Sequence, residues 1–273
     1  MSGQESTASW RDIISFPLGG RQSKPRDCGL TMVIDKGMGI GETRDLLQIN
    51  YEHIDFLKLG FGTSALYAAG TLEEKIQLAR SYDIEIYPGG TFMEVAIMQN
   101  KTREFLSKCK SLGFTAIEIS DGTVFISQEV REQAIFMAAE MGFRVLTEVG
   151  KKNNGPELSV HALASQAMRD LEKGSYKVIL EGRESGLNVG LYDENGQMAG
   201  KDLKVLLEYI DDPALIIWEA PLKNQQQDLI GTFGPNVNLG NIQPQEVLAV
   251  EALRVGLRAD TLQFVANSEE TEI

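Results

Sequence analysis

The sequence predicts an α/β fold, a closed (β/α)8 TIM barrel built as a single domain. Three observations carry that prediction. Short apolar, β-branched runs recur eight times along the 273 residues. Amphipathic helical segments stand between them, and a polar residue closes each run, usually near glycine, serine or proline. Strand and helix in alternation imply a parallel sheet, and eight units without interruption suit a barrel better than a doubly wound sheet.

The runs, in order, are LTMVID (30–35), ending in Asp35 with Lys36 beside it, and IDFLKLG (54–60), carrying Lys58. IEIYPGG (84–90) carries Tyr87 and ends in Gly89 and Gly90, and TAIEIS (115–120) carries Glu118. RVLTEVG (144–150) carries Glu148, with Lys151 and Lys152 after it, and YKVILEGR (176–183) carries Glu181 and Arg183. ALIIWEA (214–220) carries Glu219, and PNVNLG (235–240) carries Asn238 ahead of Gly240 and Asn241. Between them, TLEEKIQLARSY opens with Thr71 and Glu74 in capping-box spacing, and TREFLSKCKSLG ends in Gly113, a helix-stopping glycine. SQEVREQAIFMAAEMG, SVHALASQAMRDLEKG and PQEVLAVEALRVGL repeat the helical pattern. The expected division is a polar arm (1–24), a barrel (25–264) and a frayed acidic tail (265–273). The stretch 186–199, with its Asn195–Gly196 turn signal, is a lid or a simple hairpin.

Composition removes several classes of function. With a net charge of −13 and no basic stripe, the surface repels nucleic acid and anionic lipid. No apolar run reaches the roughly 18–20 residues of a membrane span, and no basic region leads into an apolar one as in a secretory signal. Cys28 and Cys109 lie far apart, in no ligand spacing, as expected of a cytoplasmic protein. His53 and His161 read as structural, so proton chemistry falls to lysine or carboxylate.

In a barrel, polar residues at the C-terminal strand ends meet at one mouth. Asp35, Glu118, Glu148, Glu181 and Glu219 would then raise one another's pKa unless cations stood nearby. Lys36, Lys58, Lys151, Lys152 and Arg183 are candidates, and a divalent metal would supply the rest. Oxygen ligands without histidine or cysteine favour Mg²⁺ or Mn²⁺. Asp35, Glu118, Glu148 and Glu181 are taken as the metal ligands, with Asp121, Glu184 and Glu219 as alternatives. The stretch FGPNVNLGNIQPQEV offers free backbone N–H groups to an anion around Asn238, Gly240 and Asn241. PGGT, with Gly89 and Gly90, permits close approach of an anion or is merely a turn. No Walker pattern is present.

At these motifs the chain resembles the phosphosulfolactate synthases. The matching stretches are GLTMVIDKG, IDFLKLGFGTSALY, YPGGTFMEV, GFTAIEISDGT, LTEVGKK, VILEGRESG, WEAPLKNQQ and FGPNVNLGNI. VEALRVGLRADT is one residue from the family's typical form, and together they span residues 24–262. The resemblance implies Mg²⁺-dependent addition of sulfite to phosphoenolpyruvate, giving (2R)-2-O-phospho-3-sulfolactate. It implies that Lys152, the second lysine of EVGKK, donates the proton; Lys151 and Lys58 complete the catalytic lysines. Lys36, Lys58 and Arg183, with the last strand's loop, would neutralise the small anionic substrates. Two other readings share the barrel: a lyase using a Schiff base on Lys58 or Lys152, and a non-catalytic stress-related protein. Exposed apolar helix faces often make such barrels associate, so a homo-oligomer stays open.

Overall fold

The computed structural model describes residue 10 and residues 12–150, 159–182 and 200–263. Eight parallel strands form the centre: β1 (Thr31–Asp35), β2 (Phe56–Leu59), β3 (Glu85–Pro88), β4 (Ala116–Ile119), β5 (Arg144–Val149), β6 (Lys177–Leu180), β7 (Ile216–Glu219) and β8 (Leu239–Ile242). Their order, β3-β2-β1-β8-β7-β6-β5-β4, follows the chain around a cylinder. The seam between β3 and β4 is drawn together by Thr115. Its N–H donates to Ile86 O (3.2 Å) and its hydroxyl accepts from Ile86 N–H (3.0 Å). The fold is a (β/α)8 TIM barrel.

The helices around it are α1 (Ile40–Asn50), α2 (Thr71–Arg80), α3 (Gly90–Met98), α4 (Thr102–Leu112), α5 (Gln128–Glu140), α6 (Val160–Glu172), α7 (Gly200–Tyr209), α8 (Lys223–Phe233) and α9 (Val247–Arg254). Gly113 ends α4 in the left-handed region (φ 94°), as its sequence position predicts. The capping box expected at Thr71 does not form. Gly70, at φ 84°, takes the cap position and Thr71 is the first helical residue. The additional helix α3 escapes the sequence reading because GTFMEVAIM is apolar on most of its circumference and shows no stripe.

Alternation of side chains divides the core in two. Leu30, Met32, Phe56, Tyr87, Ala116, Leu146, Ile179 and Ile217 fill the barrel interior. Their neighbours, including Val33, Leu57, Ile86, Ile117, Val145, Val178 and Ile216, pack outward against the helices.

The opposite, N-terminal end is tied together by polar side chains and by part of the arm. Arg21 forks onto Glu251 (2.9 and 3.0 Å) and Arg26 pairs with Asp55 (2.9 Å). Asn238 belongs to this end, not to the mouth. Its Oδ1 accepts from Leu30 N–H (3.0 Å) and its Nδ2 donates to Ala214 O and Ile216 O (2.8 Å each). The reason is a shift in the eighth strand, which begins at Leu239, one residue after Asn238. A bulge against β1, between the pairs Thr31–Leu239 and Val33–Ile242, then places Gly240 and Asn241 in the upper half. Asn238→Ala removes the side-chain partner of two buried backbone groups, Leu30 N–H and Ile216 O, and of the half-buried Ala214 O. It is expected to lower stability by about 1–3 kcal/mol in urea denaturation.

Candidate active site

The phase of the interior side chains builds the site. Two residues beyond each interior apolar group of β2, β4, β5, β6 and β7 comes a charge: Lys58 after Phe56, Glu118 after Ala116, Glu148 after Leu146, Glu181 after Ile179 and Glu219 after Ile217. All five are buried. Lys58 Nζ lies 2.9 Å from Glu118, 3.2 Å from Glu219 and 3.5 Å from Glu148. Carboxylate oxygens of Glu148, Glu181 and Glu219 come within 4.8 Å of one another, as one cation would require. The structure therefore gathers Lys58, Glu118, Glu148 and Glu181 from the predicted set, and of the alternative ligands it brings Glu219 to the same place.

Backbone geometry holds these carboxylates in place. Gly90, at the start of α3, donates its N–H to Glu118 Oε1 at 2.6 Å. A side chain at Gly90 would drive a Cβ to 2.7 Å from that oxygen and 2.6 Å from Ser120 Oγ. The predicted anion at this glycine pair is thus the protein's own Glu118. Gly89 continues the ladder, donating to Leu59 O (2.9 Å). Gly150, at φ 131°, lets the end of β5 pass against Glu181, whose Cβ would stand 2.5 Å from an added Cβ. Gly182 N–H donates to Glu219 Oε2 at 3.0 Å.

Not every predicted residue joins the cluster. Asp35 is two residues beyond outward-packed Val33, so it has the opposite phase from the glutamates. Its carboxylate is engaged by Lys75 of α2 and by the N–H groups of Gly37 and Met38 (2.7 Å each). Lys36 follows it, exposed. Gly240 lies inside the barrel against Met32 and Ile217. Asn241 is buried at φ 54°, just above the level of Glu219, and its Oδ1 has no hydrogen-bond partner among the described residues. Lys151, Lys152, Arg183, Glu184 and the 186–199 excursion lie outside the described residues.

The sequence reading missed the charges that brace the mouth from behind. Arg131 of α5 grips Asp170 of α6 (Nε–Oδ1 2.9 Å), donates to Glu148 O (3.0 Å) and reaches Asp121 (3.2 Å). Glu94 of α3 accepts from the Ser120 hydroxyl (2.6 Å) and from Thr123 and Val124 N–H (3.0 and 2.9 Å), shaping the loop after β4. A signal existed. Lys75, Arg131 and Asp170 each fall within the buried stripe of their helix, where an unpaired charge is costly.

Electrostatics follow from this packing. Burial alone would lower the pKa of Lys58, but Glu118, Glu219 and Glu148 outweigh it and hold the ammonium well above its ordinary value. Burial raises the Glu219 carboxyl; Lys58 opposes that rise, whereas nearby Glu148 adds to it. Among the described residues, Lys58 pairs with three of the four glutamates.

Removing the ammonium should therefore be costly in a pH-dependent way. Breaking one partner out of a buried ion pair costs about 3–5 kcal/mol. A glutamate whose folded pKa is raised binds more protons folded than unfolded, so its penalty grows as pH rises through that pKa and vanishes below the unfolded value. Lys58→Met should lower the thermal midpoint strongly at pH 8 and much less at pH 5. A gap between variant and wild type that is constant over this range would contradict the charge balance described.

Residues 19–260 match the model of the family described as (2R)-phospho-3-sulfolactate synthase (ComA). The chain is 46% identical over 246 residues to the phosphosulfolactate synthase of Methanothermobacter thermautotrophicus, covering 89% of this chain and 94% of that protein. It is 45% identical over 235 residues to that of Methanocaldococcus jannaschii, covering 85% and 93%. Among solved structures, 3-hexulose-6-phosphate synthase from Salmonella typhimurium superimposes with a TM-score of 0.55 over 84% of this chain and all of that one, at 11% identity, a likeness of fold. With the barrel, its carboxylate-lined mouth and these matches in agreement, the chain belongs to the (2R)-phospho-3-sulfolactate synthase family of enzymes.

Proposed function

We propose that the chain catalyses Mg²⁺-dependent addition of sulfite to phosphoenolpyruvate, forming (2R)-2-O-phospho-3-sulfolactate. The observation that carries this reading is the buried set of Glu148, Glu181 and Glu219 beside Lys58 in a barrel mouth of this family. An all-oxygen donor set whose ligand atoms lie within 4.8 Å of one another suits a small divalent cation. Glu148, Glu181 and Glu219 would hold it, with Glu118 beside them on Lys58. When bound, Mg²⁺ supplies stabilisation for negative charge building on the substrate carboxylate.

The lone pair of the sulfite sulfur attacks the methylene carbon of phosphoenolpyruvate, and the C=C electrons move into the carboxylate as an enediolate. A proton delivered to the neighbouring carbon from one face completes the product. Lys58, its ammonium favoured by Glu118, Glu219 and Glu148, faces the substrate as a positive charge among the catalytic lysines. Proton delivery is assigned to Lys152, as the resemblance to the family implies, with Lys151 beside it in the EVGKK motif. Lys36, Arg183 and the amide of Asn241 meet the phosphate and sulfonate ends. A cytoplasmic setting fits the two free thiols Cys28 and Cys109. Among the described residues no helix is long and apolar enough to cross a membrane.

Purified protein with Mg²⁺, phosphoenolpyruvate and sulfite should yield a phosphorylated sulfonate by mass spectrometry, and Mg²⁺ should raise the thermal midpoint by mass action. Glu219→Gln should raise the Mg²⁺ concentration needed for half-maximal rate. Lys152→Ala should abolish turnover while leaving the midpoint and the Mg²⁺ shift intact; full activity in that variant removes Lys152 from the reaction.

A further inference from the structure

We propose that Lys75 is a positioning residue: through Asp35 it sets the backbone of the loop carrying Lys36, and so the placement of that cation against the substrate. The inference rests on the reading of Lys36 given above. Lys75 projects from the buried stripe of α2 and is fully buried. Its ammonium has three acceptors: the Asp35 carboxylate, Met38 O at 2.6 Å and the Tyr67 hydroxyl at 2.9 Å. The other Asp35 oxygen accepts from Gly37 and Met38 N–H. Met38 is thus gripped at both its N–H and its carbonyl, and Lys36 sits inside the clamped turn. Tyr67 comes from the segment between β2 and α2, so one ammonium joins two loops of the mouth.

A stabilising role alone does not account for this arrangement. An apolar side chain of similar length would fill the helix–strand layer without the desolvation cost of an ammonium and a carboxylate. What methionine could not do is fix the turn. Asp35, read from sequence as a metal ligand, thereby gains a different role, and the two roles are separable.

The test compares wild type with Lys75→Met and Tyr67→Phe, each with and without Lys36→Ala. The readouts are turnover with phosphoenolpyruvate, sulfite and Mg²⁺ varied separately, and amide hydrogen exchange at Gly37 and Met38. Lys75→Met should lower kcat/KM for phosphoenolpyruvate by about a hundredfold, the scale of a roughly 1 Å misplacement. It should accelerate exchange at both amides and leave the Mg²⁺ dependence unchanged. Its effect should nearly disappear in the Lys36→Ala background, since groups acting in series are not additive. Tyr67→Phe should move both readouts the same way by less, and it carries the test if Lys75→Met does not fold. Wild-type kcat/KM in folded Lys75→Met, a loss that adds in full to that of Lys36→Ala, or an altered Mg²⁺ requirement overturns the proposal. If wild type itself makes no phosphorylated sulfonate, the functional reading fails separately, and unchanged exchange at Gly37 and Met38 still rejects the clamp.

Discussion

Side-chain phase along the strands governs this molecule. In a closed parallel barrel every second residue faces the interior, and near the upper end of five strands that residue is charged. Four glutamates so placed cannot share a dry cavity unless protonated or neutralised. Lys58 answers part of that demand from below, touching three of them. The hydrophobic interior beneath, from Phe56 to Ile217, removes water from underneath these charges and strengthens every interaction among them.

Much of this was legible in the sequence. The eight runs, their order and the residues Lys58, Glu118, Glu148, Glu181 and Glu219 are visible because each run is short and closes on a polar residue. Asp35 was misjudged for a physical reason. In LTMVID both faces of the strand are buried, so the apolar pattern carries no phase, and Asp35 is one step out of register with the interior. Asn238 was misjudged because a bulge moved the ladder up the chain, and bulges leave little trace in an apolar pattern. At Gly90, where the sequence left open an anion's approach or a simple turn, the group that approaches is the Glu118 carboxylate of β4.

The supporting charges were harder to see because their partners are remote in sequence. Arg131 and Asp170 are 39 residues apart, and Lys75 and Asp35 are 40. One chain reveals the oddity of a charge in an apolar stripe but not its destination. In three dimensions one pair joins α5 to α6 and the other joins α2 to the end of β1, and each directs at least one hydrogen bond to backbone of the rim. The helices therefore do more than cover the sheet: they hold the rim in shape.

The seam at Thr115 carries a wider implication. β3 and β4 share no paired register of the kind the other strands show and are joined through Thr115 and Gly90, while Lys58 of β2 reaches over β3 to Glu118 of β4. The ion pair works as a clasp on a staved cask whose last joint is loose. Whatever draws Lys58 away from Glu118 also slackens the hoop, so the charge state of the cavity and the roundness of the wall cannot be adjusted independently.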